Sequence, residues 1–264
     1  MLYCGICHSD CHIGLNHLGP FGRGCHYPFV GGHELLGRVT EVGPKVTKFK
    51  VGDNVGVGCF VGSCKNCPQC DAGEENYCDK GMIATYNGVK MHGCVGGNQE
   101  TRTHGGYSGS NVIHEDFIVK ITDGLPLEYS SPIMCAGITM YSPIKDHGGC
   151  EGKKMTIGVI GIGGLGTMGI KIAKALGHDV VAISTSANKE AMAKEKGATH
   201  FVVSKDPASI QACAGKCNII LNTVSAAHDV NVYWPLLAKN GVFVAIGANL
   251  QPAQINQIML IRNR

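Results

Sequence analysis

A strand, a glycine turn and a helix written in one continuous stretch restrict the fold more than any other feature of this sequence. Residues 155–160 form a short apolar run, and Gly161-Ile162-Gly163-Gly164-Leu165-Gly166 follows it. Leu165, Met168, Ile172, Ala173 and Leu176 then recur at helical spacing, with Gly177 where a C-terminal cap belongs. A G-x-G-x-x-G motif alone is weak evidence, but between a strand and a helix it predicts a dinucleotide cradle. The first glycine allows the tight turn, the second admits backbone N–H groups to a pyrophosphate, and the third lets helix and strand approach closely. Further strands are predicted at 179–183, 200–203, 218–221 and 242–246, and helices at 188–196 and 229–239. Such alternation predicts a doubly wound parallel sheet.

The first 130 residues or so have another texture, rich in Gly, Cys and His. Short β-type runs at 38–42 and 111–113, with turn signals such as Val51-Gly52-Asp53-Asn54, predict an all-β domain with long loops. The expected division is therefore 1–130 and 131–264. A formal net charge of +3 with no Lys/Arg block gives no argument for nucleic acid. The most apolar stretch, 155–176, is broken by glycines, Lys171 and Lys174 and is not a membrane span. The N-terminus lacks the basic start and apolar core of a signal peptide. With fourteen cysteines, several at metal-ligand spacing, a reducing cytoplasm is the expected location.

Cys64, Cys67, Cys70 and Cys78 stand in a polar loop, separated by two, two and seven residues. Four thiolates at this spacing can close a tetrahedral zinc site with no open position, and metal binding can fold a loop that lacks its own core. An iron–sulfur cluster is the competing reading. The bacterial ferredoxin run, however, has a shorter last gap and a proline after the fourth cysteine, where this chain has Asp79. Three other segments each offer a ligand around Cys7, His33 and Cys135. Spacing alone does not assemble them, because a lone buried cysteine or loop histidine has ordinary structural uses.

The stretches GICHSDCH (5–12), GGHELLGRVTEVG (31–43), VGDNVGVG (51–58), the four-cysteine loop, GGYS (105–108), MCAGITMYSP (134–143) and GIGGLGTMGIKIAKALG (161–177) run in one order along nearly the whole chain. In them the chain closely resembles the zinc-dependent medium-chain alcohol dehydrogenases, in the branch of cinnamyl-alcohol-dehydrogenase-like aldehyde reductases. The resemblance implies a GroES-like β-barrel catalytic domain followed by a Rossmann doubly wound sheet. It implies catalytic zinc ligands at Cys7, His33 and Cys135, with Glu34 able to exchange onto the metal. Structural zinc would be held by Cys64, Cys67, Cys70 and Cys78. Asp10 fits a carboxylate that fixes the His33 tautomer, Ser9 a relay hydroxyl and His12 the outer base or acid. The expected reaction is hydride transfer between NADP(H) and a primary alcohol/aldehyde pair, chiefly aldehyde reduction with broad or aromatic specificity.

Cofactor choice rests on the end of the second strand, where NAD enzymes usually carry a carboxylate. Ser184, Thr185, Ser186 and Lys189 stand there instead, which suits the 2′-phosphate of NADP(H). Gly161, Gly163, Gly164, Leu165 and Gly166 form the phosphate turn, and the resemblance adds Thr139, Thr223 and Gly247 as cofactor contacts. Family members begin with several more strands and continue past the last one here, and they pair as homodimers. Both domains are accordingly expected to be incomplete, with a non-catalytic zinc- and nucleotide-binding fragment as the alternative reading.

Overall fold

The computed structural model describes residues 1–21, 24–89 and 102–263, and the chain divides into two compact units, Met1–Cys135 and Ala136–Arg264. In the first unit, strands β1 (Tyr3–Cys4), β2 (Leu35–Arg38), β3 (Asn54–Val57) and β6 (Val119–Lys120) form an antiparallel sheet in the order β1-β2-β3-β6. Strands β4 (Phe60–Gly62) and β5 (Ile83–Ala84) pair separately. Leu35, Val57, Val61 and Ile83 share one buried cluster with Cys64, Cys67, Cys70 and Cys78. Among its described residues the unit also carries the short α-helices α1 (His8–Gly14), α2 (Pro68–Asp71) and α3 (Leu127–Ser130). The β-type runs at 38–42 and 111–113 are mostly irregular; only Arg38 of the first lies in a strand.

The second unit is a five-stranded parallel sheet of β7 (Thr156–Ile160), β8 (Asp179–Ser184), β9 (His200–Val203), β10 (Cys217–Asn222) and β11 (Leu237–Ala245), in the order β11-β10-β7-β8-β9. Both faces are covered, so its central strands read as near-continuous apolar runs. Ile157, Val159, Val180, Ala182, Ile219 and Leu221 face one core, with α4 (Ala136–Asp146) and α5 (Gly164–Ala175) against them. Ile160, Val181, Ile183, Val202 and Ile220 face the other, covered by α7 (Pro207–Ala212) and the Val230–Trp234 segment. Helix α6 (Glu190–Glu195) joins β8 to β9, and α8 (Gln257–Asn263) ends the described chain. The strand order reverses between β7 and β10, and ligands of open α/β sheets bind in the crevice at such a point.

Two sequence expectations change here. The helix predicted at 229–239 is a 3-10 run over Val230–Leu236, and the chain is already in β11 from Leu237. Pro235 lies inside that run; it donates no N–H and disfavours the α conformation of Trp234 before it. The core-facing side of helix α5 is only partly the predicted one. Ala173 is buried and Leu165 and Ile172 pack against the core, but Gly166, Gly169 and Ile170 are its other buried residues and Leu176 is 36% exposed. Small residues take that face because α4 comes so close that a Cβ on Gly169 would stand 2.3 Å from Met140 Cε. Gly177 does stop the helix: its N–H bonds Lys174 and that of His178 bonds Ala173, the Schellman pattern.

Candidate functional site

Cys7 ends the extended segment after β1 and is the N-cap of α1, whose Asp10 carboxylate accepts the Cys7 N–H at 3.2 Å. His33 and Glu34 lie just before β2, registered against the first segment by Gly5 N–H donating to Glu34 O at 3.0 Å. Gly5 leaves room for the Glu34 side chain, since a Cβ there would stand 1.9 Å from Glu34 Oε2. Cys135 follows a 3-10 turn (Ser131–Met134) whose Met134 packs on Gly56 and Gly58 of β3 and its exit. Residues about 100 positions apart in sequence thereby converge. One ligand atom from each of Cys7, His33, Glu34 and Cys135 lies within 4.8 Å of the others.

These spacings fit a tetrahedral ion. With Zn–S near 2.3 Å, the edge of a tetrahedron is roughly 3.8 Å. Cys7 Sγ and Cys135 Sγ are 3.9 Å apart, and His33 Nε2 lies 3.2 Å from Cys135 Sγ. His33 is aimed from behind: its Nδ1 is 3.2 Å from Tyr86 Oη and 3.5 Å from Asp10 Oδ1, which turns the Nε2 lone pair to the cluster. Asp10 in turn accepts the Gly32 N–H at 3.2 Å and the Tyr107 hydroxyl at 2.6 Å. Burial would raise its carboxyl, but hydrogen bonds from His33 first, then from Tyr107 and the Cys7 N–H, hold it well below the ordinary range.

Electrostatics favours a cation here. Hydrogen bonding with Cys135, then with His33 and Ser9, brings the Cys7 thiol down to about 3 against the cost of burial. Burial would discharge His33, but its bonds to Asp10 and Cys7 carry it up to about 10. Burial, and then the Cys7 charge, raises Glu34 to about 7. Without metal, the cluster holds protons that a divalent ion would displace.

The second quartet is entirely buried. Cys64, Cys67, Cys70 and Cys78 each offer a sulfur within 4.8 Å of the others, with Cys64 and Cys70 again 3.9 Å apart. Cys64 N–H donates to Cys78 Sγ and Asp79 N–H to Cys67 Sγ, which suits thiolates. The loop is also tied outside the sulfurs, with Lys65 Nζ 2.8 Å from Glu75 and 3.4 Å from Asp116.

At the switch point of the parallel sheet, Gly161 takes φ +85° after β7, and Gly163 is the N-cap of α5. A Cβ on Gly163 or Gly164 meets nothing within 4 Å, so space stands open at the helix N-terminus, with Leu165 in its first turn. A Cβ on Gly166 would instead stand 1.8 Å from Gly161 O. Thr223 spends its hydroxyl on the turn, donating to Ile160 O at 2.8 Å, and Gly247 packs under Val224 O. Ser184 ends β8 and accepts the Ser186 N–H, Thr185 is exposed, and Lys189 Nζ reaches back to Ile162 O at 3.0 Å. Thr139 lies half-buried in the first turn of α4.

Comparison with known proteins agrees with both units. A model of the alcohol dehydrogenase GroES-like domain matches residues 1–123, and one of the zinc-binding dehydrogenases matches 164–264. NADP-dependent alcohol dehydrogenase C 1 of Mycolicibacterium smegmatis is 44% identical over 99% of this chain and 72% of its own length. The chain belongs to the zinc-dependent alcohol dehydrogenase family. Among solved structures of this family, a cinnamyl alcohol dehydrogenase of Sorghum bicolor superposes with a TM-score of 0.89 at 41% identity, covering 98% of this chain and 71% of that one. The CAD of Helicobacter pylori, solved with NADP(H), gives 0.82 at 34% identity, covering 100% and 72%. Membership makes the chain a zinc-type oxidoreductase of the alcohol/aldehyde class. Among the described residues, no helix is long and apolar enough to cross a membrane.

Sequence reasoning missed three groups around this alcohol dehydrogenase cluster. Tyr86 and Tyr107 buttress the His33–Asp10 pair, and the Cys59 thiol lies beside Cys135. Tyr107 stands in the GGYS stretch, a usable signal; Tyr86 and Cys59 carry none, since only folding brings them to His33.

Proposed function

We propose that this chain is a zinc- and NADP(H)-dependent alcohol dehydrogenase that works chiefly as a reductase of primary aldehydes, aromatic ones included. The observation that carries the reading is the convergence of Cys7, His33, Glu34 and Cys135 at the edge lengths of a tetrahedral ion. Cys7, His33 and Cys135 hold the catalytic zinc, and Cys64, Cys67, Cys70 and Cys78 hold a structural one. When bound, zinc supplies Lewis-acid assistance to the substrate oxygen, and NADP(H) supplies or accepts the hydride.

The protein's own groups do the rest. Asp10 keeps a proton on His33 Nδ1 so that Nε2 remains a ligand. Glu34 stays beside the cluster, where its carboxylate can approach or exchange onto the metal. Ser9, whose Oγ is 3.4 Å from Cys7 Sγ, orients the substrate oxygen and passes a proton, and His12, one helical turn further on, exchanges it with the exterior. The open N-terminus of α5 at Gly163, Gly164 and Leu165 receives the pyrophosphate. Ser184, Thr185, Ser186 and Lys189 receive the 2′-phosphate where an NAD enzyme would carry a carboxylate. Thr139, Gly161, Gly166, Thr223 and Gly247 shape or touch the same site. A cytoplasmic location is part of this reading, and homodimers are the assembly of the full-length family.

Metal analysis on one sample, with NADPH and NADH oxidation followed across benzaldehyde, cinnamaldehyde and short aliphatic aldehydes, tests the reading. It expects zinc in both quartets, a clear preference for NADPH, and loss of turnover and of one zinc on Cys7→Ser. Nucleotide binding with no aldehyde turnover would reject the enzymatic assignment, and a preference for NADH would reject the role given to Lys189.

A further inference from the structure

Helix α1 ends in a way that brings a second histidine onto His12. Its C-cap is Leu15, and the next residue, Asn16, takes φ +55°. Asn16 N–H bonds Ile13 O at 2.8 Å, and His17 N–H bonds His12 O at 2.9 Å. This is the Schellman pattern, which characteristically sets the side chain two positions past the cap against the one three positions before it. Residues five apart do not face each other along a continuing helix; here the left-handed turn folds His17 back. The two Nδ1 atoms end 3.2 Å apart, with the rings at 5.4 Å between centroids. Asn16 is itself pinned, its Oδ1 accepting the Cys25 N–H at 2.9 Å.

We infer that His17 is the outer member of a two-histidine proton path, carrying protons between His12 and water. The inference rests on the relay role proposed for His12 and extends it by one residue. In the direction of alcohol oxidation, a proton arrives at His12 Nε2. The proton already on His12 Nδ1 crosses to the lone pair of His17 Nδ1, so the His12 N–H bond breaks as the His17 N–H bond forms. His12 is left neutral with its proton on Nε2, His17, which is solvent-exposed, gives its Nε2 proton to water, and exchange with water returns both rings to their starting tautomers before the next turnover. Aldehyde reduction runs the same transfers inward. The path does not change the charge of the pair beyond the one proton in transit, and no other reactant is needed.

The surroundings keep His12 ready to let its proton go. Burial, then the His8 ring set edge-on at 4.7 Å, then His17, hold its pKa below the ordinary histidine value, while the Cys7 charge opposes them. His17 is a relay and positioning group rather than a catalytic residue, since it touches neither substrate nor cofactor in this reading.

The test uses His17→Gln and His12→Gln in the full chain, with turnover and NMR read together. A group acting directly in proton transfer supplies a factor of 10² or more, so losing the outer member is expected to lower kcat by about tenfold with KM little changed. Added imidazole should restore much of the loss, and the solvent deuterium isotope effect should grow. Independently of turnover, ¹⁵N spectra of His17→Gln should show the His12 pKa rising toward its ordinary value. A His17→Gln enzyme within about twofold of the parent, while His12→Gln is strongly impaired, overturns the extension and leaves the His12 relay standing. An unimpaired His12→Gln enzyme overturns both. An unmoved His12 titration in His17→Gln overturns the pairing whatever the rates.

Discussion

The glycine turn after β7 holds two kinds of glycine, and alanine separates them. At Gly166 an added Cβ would stand 1.8 Å from Gly161 O and 2.9 Å from its carbonyl carbon. A relaxed C···O contact is near 3.3 Å, so the turn and α5 must part by roughly 1.5 Å. Overpacking of this kind costs about 1–3 kcal/mol and occasionally more, against a gain of about 1 kcal/mol from alanine in a helix. Backbone against backbone cannot yield by a rotamer change, so the upper end applies, and Gly166→Ala should lose about 2 kcal/mol net. For a unit of this size that lowers the melting temperature by roughly 5–10 °C. At Gly163 an added Cβ meets nothing within 4 Å, and φ −110° is open to any residue. Gly163→Ala should therefore cost under about 1 kcal/mol, the scale of a changed N-cap. Its methyl group would occupy the space assigned to the pyrophosphate, so NADPH affinity should fall. Thermal melts of the metal-loaded protein and fluorescence titration with NADPH read both effects. A Gly166→Ala protein that melts with the parent would refute the packing argument. A Gly163→Ala protein that binds NADPH as the parent does would refute the assignment of the open space.

Two other perturbations test the site and the frame around it. Asp10→Asn keeps the size of the side chain but removes the charge facing His33 and turns an amide N–H toward backbone and hydroxyl donors. Metal retention at Cys7, His33 and Cys135 should weaken by roughly 10–100-fold in competition with a chromophoric chelator; equal retention would show that Asp10 does not orient His33. Glu115 accepts the Lys48 and Thr47 N–H groups, and those bonds hold its carboxyl below the ordinary glutamate value. A depressed carboxyl contributes stability above its unfolded pKa and loses it as pH falls through the folded value. Glu115→Gln should therefore melt lower than the parent near neutrality, with the gap closing as pH drops below 4.5. A gap that stays constant with pH would discard the charge-based account.

Much of this molecule is written locally. The strand–turn–helix at 155–177, the run of parallel strands and the four-cysteine loop each depend on neighbours a few residues away, so spacing and residue type suffice to read them. Resemblance supplied the rest of the ligand set, because no spacing rule links Cys7, His33 and Cys135. What tertiary structure decided lies where local signals are degenerate. Leu176 looks like part of the buried stripe of α5, yet it is exposed, while Gly169 beside Met140 of α4 and Gly166 beside the Gly161 carbonyl are buried. Residues 229–239 look helical until Pro235 and the demand of β10 for a parallel neighbour draw the chain into β11 from Leu237. Tyr86 reaches His33 across 53 positions, and Tyr107 reaches Asp10 across 97, contacts that no window of sequence contains. The glycine turn was legible because its chemistry needs backbone geometry, which local residues dictate. The groups that aim His33 were not, because hydrogen bonds between side chains depend on where the whole chain places them.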